Sequence, residues 1–290
     1  MTTELTLQEA ADLLGVHYMT AYRYVRLGML PAEKVGGVWR VSSAALSGRR
    51  LDLVAPAAGA GSAQRAGRRR APWAERLESR LLAGDGCGAW NVIEAAQAAG
   101  AELDEVYLDI LAPAMVSIGR RWEAGEIDVA EEHRASGIAM RVIGRLGPRF
   151  TRRGRSRGAV VLGTPAGERH CLPVALLADL LRSSGWMVSD LGADLPPRSF
   201  ASAAAAVPSL RAVGVSITTS AQLDAGVELV EELRLAVEDV SVLVGGRAVR
   251  DGAHAAALGA DGWAPDGRAL VELLDRLPPS GRLRPSAAMA

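Results

Sequence analysis

Cysteine is scarce in this 290-residue sequence, with Cys87 and Cys171 alone. Two thiols so far apart suit neither a zinc cluster nor a disulfide framework, and they fit a reducing compartment. No apolar run approaches the roughly 20 residues that a bilayer-spanning helix requires, and the first residues carry no basic-then-apolar secretory signal. A cytoplasmic location with no membrane partner is therefore expected. Lysine is scarcer still: Lys34 stands against 32 arginines, a bias that matches the Ala- and Gly-rich composition and says little about function. Neither sign of charge is in excess, because 33 Lys and Arg balance 33 Asp and Glu. That balance excludes a uniformly basic nucleic-acid binder but conceals an uneven distribution, since residues 1–72 hold ten Arg or Lys against five Asp or Glu. A solenoid repeat, a P-loop, a Ser-His-Asp arrangement and a paired-carboxylate site are all missing, so a non-enzymatic role is expected.

What is present is apolar residue enough to bury cores, 49% of the chain, over a length that permits two or three domains. Two composition shifts divide it. The stretch RRLDLVAPAAGAGSAQRAGRRRAP has no sustained apolar periodicity and reads as a flexible linker over residues 49–72. A second break falls at PRFTRRGRSRG, 148–158. The expected organisation is a small module at 1–48, a helical domain at 73–149, an α/β domain at 158–278, and a disordered tail at 279–290.

In the first module Thr6 and Glu9 make a T-x-x-E capping box that opens a helix through Leu14, and Gly15 permits a tight turn. A second helix is expected from about His17. Ala10, Leu13, Leu14, Ala21 and Val25 can share a core, which leaves His17, Tyr18, Thr20 and Arg23 outward. LPAEKVGGVWRVSS then offers two short strands around Gly36-Gly37, a wing carrying Lys34 and Arg40. This is helix-turn-helix spacing, although a small three-helix protein-binding module fits the same residues. The stretch resembles the excisionase-like and MerR-like helix-turn-helix families in its G-V turn, T-x-Y-R second helix and G-G-x-W-R wing. The resemblance implies double-stranded operator DNA as partner. Arg23 and the polar start of the second helix (His17, Tyr18, Thr20) would meet base edges, and Lys34 and Arg40 phosphates. One such module makes few contacts, so useful affinity calls for two or more copies, and a homo-oligomer, dimer or tetramer, is expected.

Helical periodicity in WAERLESRLLAG, GAWNVIEAAQAA, LDEVYLDILAPAMVSIGRRW and VAEEHRASGIAMRVIGRL predicts a four-helix bundle. Gly125 ends the third helix just after Trp122, and Asp128 with Glu131 opens the fourth. Trp122 and the pair Glu132-His133 therefore flank one loop, where an aromatic face, a carboxylate and an imidazole can cap a flat ligand. A core tryptophan beside a solvated helix face is the alternative.

Beyond residue 158, apolar runs GAVVLGT, WMVSDLG, AVGVSIT, VSVLVGG and the weaker ADGWAP alternate with helical stretches, the pattern of a doubly wound, flavodoxin-like parallel sheet. Three unusual elements fall at strand carboxyl ends, where such sheets bind ligands: Glu168-x-His170, Ser216-x-Thr218 and Gly245-Gly246. Glycines admit close approach to the backbone, and the hydroxyls can line a slot. A carboxylate two residues from an imidazole can orient it as in carboxylate–histidine–metal relays. One histidine is not a zinc site; it suits a metal whose other ligands come with a macrocycle, unless His170 is an ordinary hydrated loop residue.

These elements resemble the D-x-H-x-x-G, S-x-L/T and G-G pattern of the cobalamin-binding fold. The resemblance implies that His170 is the metal ligand, replacing the dimethylbenzimidazole tail on cobalt, while the tail enters a slot beside Ser216, Thr218, Gly245 and Gly246. Glu168 replaces the family's Asp, and Pro173 its Gly. The order helix-turn-helix, bundle, cobalamin domain is similar to that of the B12-dependent light-sensing MerR-type repressors, whose W-x9-E-H signature is matched by Trp122 and Glu132-His133. That likeness implies adenosylcobalamin as cofactor, with Trp122 over the adenosyl face, Glu132 on its ribose hydroxyls, and light as the signal that changes oligomeric state and DNA binding. The family's light receptors carry a histidine after the tryptophan, where this sequence has Glu123. A light-independent cobalamin sensor, a corrinoid methyl-carrier protein and a regulator using another small ligand remain as alternatives.

Overall fold

The computed structural model describes residues 4–14, 25, 30–35, 38–42, 71–152 and 154–278, in two compact units, Met1–Arg70 and Ala71–Ala290. In the first unit β1 (Glu4–Thr6) leads into α1 (Leu7–Leu14), and β2 (Ala32–Val35) and β3 (Val38–Ser42) follow. The Thr6–Glu9 capping box forms: the Glu9 carboxylate accepts the Thr6 N–H at 2.7 Å, and Thr6 Oγ1 accepts the Glu9 N–H at 3.3 Å. The two wing strands pair as expected from the sequence. The all-α expectation needs correction, because β1 adds a strand on the other edge of β3 in the order β1-β3-β2. Three residues are too few to show alternation in sequence; β1 exists because β3 offers a free edge for Glu4–Thr6 to pair. Leu7, Ala10, Leu30 and Val41 form the core, with Val25 and Trp39 against it. Leu13, expected inside, is exposed, since Leu7 and Ala10, three residues apart, define the buried face of α1. His17, Tyr18, Thr20, Arg23, Gly36-Gly37, residues 49–70 of the linker and residues 279–290 of the tail lie outside the described residues.

The second unit begins with a bundle: α2 (Trp73–Leu82), α3 (Gly86–Ala98), a long rod from Leu103 to Glu123, and α6 (Val129–Leu146). The rod consists of α4 (Leu103–Glu105), a π-helical run (Val106–Leu111) and α5 (Ala112–Glu123). Pro113 accounts for the π-helical run. It lacks a backbone donor, and its ring crowds the carbonyl four residues earlier, so the preceding turn widens until the Ala112 N–H reaches the Tyr107 carbonyl.

The α/β part follows as β4 (Ala159–Gly163), α7 (Cys171–Ser183), β5 (Met187–Asp190), α8 (Pro197–Ala205), β6 (Leu210–Ser216), α9 (Leu223–Ala236), β7 (Ser241–Gly245), α10 (Gly252–Ala257), β8 (Gly262–Ala264) and α11 (Gly267–Asp275). Its parallel strands lie in the order β5-β4-β6-β7-β8. This is the flavodoxin-like order, whose switch point falls between β4 and β6. The inner strand β4 is buried along its whole length, as its unbroken apolar run requires.

Helix α7 belongs to both layers. Leu176 and Leu180 enter the bundle core, while Val174, Ala178 and Leu181 pack on the sheet. A helix apolar on every side must be buried on every side, and CLPVALLADLLRS meets that condition by lying between bundle and sheet. Its one buried acid, Asp179, accepts the Tyr107 hydroxyl of the π-helical run at 2.9 Å and Arg182 Nη1 at 2.8 Å. Burial, and then the Asp179 charge, raise the Tyr107 phenol far above its ordinary value and keep it a donor.

Candidate functional site

The loop between β4 and α7 meets the end of β6 at the switch point. Thr164, buried just past β4, donates its hydroxyl to the Glu168 carbonyl at 2.6 Å. Asp194 closes the other side: its N–H reaches Thr164 Oγ1 at 2.9 Å, and its carboxylate accepts the Gly167 N–H at 2.6 Å. So braced, the loop points the Glu168 side chain inward, where the residue is fully buried.

Each carboxylate oxygen of Glu168 is held. Oε1 accepts the His170 N–H at 3.1 Å and a very short contact from His170 Nδ1. Oε2 accepts the Thr218 and Thr219 N–H groups, both at 2.8 Å. Burial alone would raise the Glu168 pKa; the imidazole and the amides of Thr219, His170 and Thr218 outweigh it and lower the value to about 2. His170 is raised in return, first by its hydrogen bond to Glu168, against the opposing effect of burial. Smaller contributions come from Glu132, which favours the charged ring, and Arg247, which disfavours it. With Nδ1 committed to Glu168, Nε2 is the ring nitrogen left for a ligand, on a side chain that is 51% exposed. His170 caps α7, and Pro173 takes the third helical position, where an N–H would have no helical partner.

Ser216 ends β6 and is buried; Thr218 is half-buried and acts through its amide. Gly245 and Gly246 have a reason of their own to be glycine. A Cβ on Gly245 would meet the Ala264 carbonyl oxygen at 2.6 Å, and one on Gly246, at φ +93, the Ile217 carbonyl carbon at 2.7 Å. The chain's own strand ends therefore demand both glycines, whatever ligand approaches them.

On the bundle side, α5 stops where Gly125 takes a left-handed φ of +72, and Asp128 and Glu131 cap α6 reciprocally. Trp122 on one flank of this loop is 46% exposed. Opposite, Glu132 Oε2 contacts His133 Nδ1 at 2.7 Å, and Ser136 donates to Oε1. The fold thus brings Trp122, Glu132 and His133 to one end of the bundle, and Glu132 within electrostatic reach of His170. In the first unit Lys34 is exposed on β2, 5.9 Å from the Trp39 ring centroid, and Arg40 lies half-buried on β3, paired in register with Glu33.

The B12 binding domain family matches residues 158–274, a second B12 binding domain model matches 73–146, and the helix-turn-helix domain family matches 4–47. The dimethylamine corrinoid protein of Methanosarcina barkeri is 31% identical over 188 residues, which span 61% of this chain and 85% of that protein. This chain belongs to the corrinoid protein family. The corrinoid family likeness extends to the HTH-type transcriptional repressor CarH of Myxococcus xanthus, 30% identical over 201 residues, 68% of this chain and 65% of that one. The monomethylamine corrinoid protein structure from Methanosarcina barkeri superposes with a TM-score of 0.57 at 22% identity, over 70% of this chain and 97% of that one, and shares the fold.

The residues fit the cobalt corrinoid that family membership brings. Among the described residues no group of three or more His, Cys, Asp or Glu side chains is arranged to hold a metal ion. His170 thus offers a single nitrogen, as a metal already held by a macrocycle requires. Thr164, Asp194 and Thr219 carry no signal of their role in the sequence: the first two brace a loop from its far side, and the third acts through a backbone N–H that any residue but proline offers. Arg247, next to the paired glycines, was also passed over; its position there was the available signal.

Proposed function

We propose that this chain is a cobalamin-dependent transcriptional regulator, a repressor and photoreceptor that binds adenosylcobalamin between bundle and α/β domain. The observation that carries the reading is the helix-turn-helix match at 4–47 on the same chain as both B12 binding domain matches. The likeness to a protein named as an HTH-type transcriptional repressor supports it. The role is one of binding and readout, without catalysis.

When bound, the cofactor supplies a cobalt–carbon bond that visible light cleaves. The protein does the rest. His170 Nε2 would hold the metal, with Glu168 orienting the ring. Trp122 would offer its exposed ring to the bound group, and Glu132 would accept from its hydroxyls. Ser216, Thr218, Gly245 and Gly246 line the path of the nucleotide tail. Trp122 and Glu132 would keep these contacts only with the bound group intact. Once they lose them, the bundle is released and the homo-oligomer, dimer or tetramer, changes its hold on operator DNA. His17, Tyr18, Thr20, Arg23, Lys34 and Arg40 are the proposed DNA contacts.

A corrinoid methyl carrier is the second reading, favoured by the 85% coverage of the dimethylamine corrinoid protein. Absorption spectra of the protein with adenosylcobalamin, in darkness and after green light, with size-exclusion on both samples and footprinting upstream of its own gene, separate the two. An irreversible spectral change, a shift in elution and a protected operator are expected. Tight binding with no footprint would favour the carrier. His170→Ala is expected to lose the lower ligand, and an unchanged spectrum in that variant would remove His170 from the metal.

A further inference from the structure

Among the described residues, side-chain hydrogen bonds and ion pairs that join the bundle to the α/β domain differ in kind. Tyr107–Asp179 is buried. Arg268 Nη2 reaches both carboxylate oxygens of Asp109, at 3.1 and 3.0 Å, from α11 to the π-helical run. Another link is at the site: Glu123, the last residue of α5 and the neighbour of Trp122, is bound by both Nη atoms of Arg247, one of them at 3.3 Å and the other closer. Arg247 cannot drift far. Its turn is tied to the end of β6 by Ala248 N–H to the Ile217 carbonyl at 3.1 Å, and closed by Val249 N–H to the Gly246 carbonyl at 3.1 Å. Ile217 immediately precedes Thr218, whose amide fixes Glu168. The guanidinium is thus anchored to the floor that positions His170, and the carboxylate to the helix end that presents Trp122.

We propose that the Glu123–Arg247 ion pair is a latch across the mouth of the corrinoid site, and that opening it is the step that admits the flat ligand between Trp122 and His170. The proposal rests on the corrinoid site described above. A flat ligand lying between Trp122 and the half-exposed His170 would have to part the bundle end from the strand ends, and this pair joins the two. Both side chains are 47% exposed, so water can replace each partner at small cost, which suits a contact that opens repeatedly. The buried Tyr107–Asp179 link does not suit that use.

The test is stopped-flow absorbance with aquacobinamide, a corrinoid without the nucleotide tail, so that tail displacement does not limit the rate. Wild type, Glu123→Gln, Arg247→Gln, the double variant and the charge swap Glu123→Arg with Arg247→Glu are compared. Each single variant is expected to associate about three- to fivefold faster, the range open to a half-exposed pair. The double variant should be no faster than either single, the swap should return toward wild type, and added salt should accelerate only wild type and the swap. Unchanged rates in both singles, or a double variant whose gain is the product of the two, would overturn the latch while leaving the corrinoid site intact. No spectral change with wild-type protein would overturn both.

Discussion

The two edges along which the bundle meets the α/β domain differ in the quality of their contacts. At one edge α7 is sunk into both cores, and a buried hydroxyl–carboxylate–guanidinium chain links Tyr107, Asp179 and Arg182. At the other, an aromatic face, a carboxylate–imidazole pair and one half-exposed ion pair face the loops at the strand ends. The difference shows how one chain holds two layers in register and still leaves a ligand-sized edge free to part: apolar area and desolvated polar contacts fix the first edge, and solvent-competed charges close the second.

The most forceful way to break this contrast is Leu180→Ala, which removes a buried side chain from the shared helix. A loss of about 2–5 kcal/mol is expected for such a truncation, read as a lower urea midpoint with bundle and sheet still unfolding in one transition. Two separated transitions would mean that α7 does not unite the layers.

Acid should act next. Glu168 falls from an ordinary 4.5 to about 2 on folding, so its contribution is present above about 4.5 and is lost as the pH falls toward 2. By linkage this is worth at most roughly 3 kcal/mol. His170 is raised above 6.5, so its contribution is complete below that value and is lost as the pH rises through the folded value. For this pair the cofactor-free protein is most stable between about 4.5 and 6.5. Urea midpoints measured across pH should show the acid limb, and Glu168→Gln should flatten it; an equally steep limb in that variant would move the titration elsewhere.

A smaller effect is expected from Tyr107→Phe, which keeps the ring against Phe150, 4.4 Å between centroids, but withdraws the hydroxyl from Asp179. About 1.5–3 kcal/mol is expected for a buried hydrogen bond to a charged group. Arg268→Ala, at the half-exposed Asp109 pair, should cost less than about 1 kcal/mol. If these two variants were equally destabilising, burial would not be what separates a buried link from a half-exposed one.

Much of this was legible before any fold was known. The apolar runs located β4 to β8, and the capping boxes at Thr6–Glu9 and Asp128–Glu131 located two helix starts. Glu168 and His170, two residues apart, announced their pairing. Other features were not legible. Strand β1 is too short for a pattern, and the π-helical run depends on how a helix adapts to Pro113. The role of Thr219 is carried by a backbone amide, and Asp194 contacts Gly167 from 27 residues away.

The sequence by itself determined the elements of the bundle and the parallel sheet, apart from the π-helical run, and the chemistry of the Glu168-His170 pair, because these follow from local periodicity and from residues close along the chain. Only the tertiary structure decided that α7 serves two cores, that Tyr107 meets Asp179, and that Glu123 meets Arg247. Those contacts join residues 72 and 124 positions apart, and no local pattern encodes a partner whose place is set by how the layers pack.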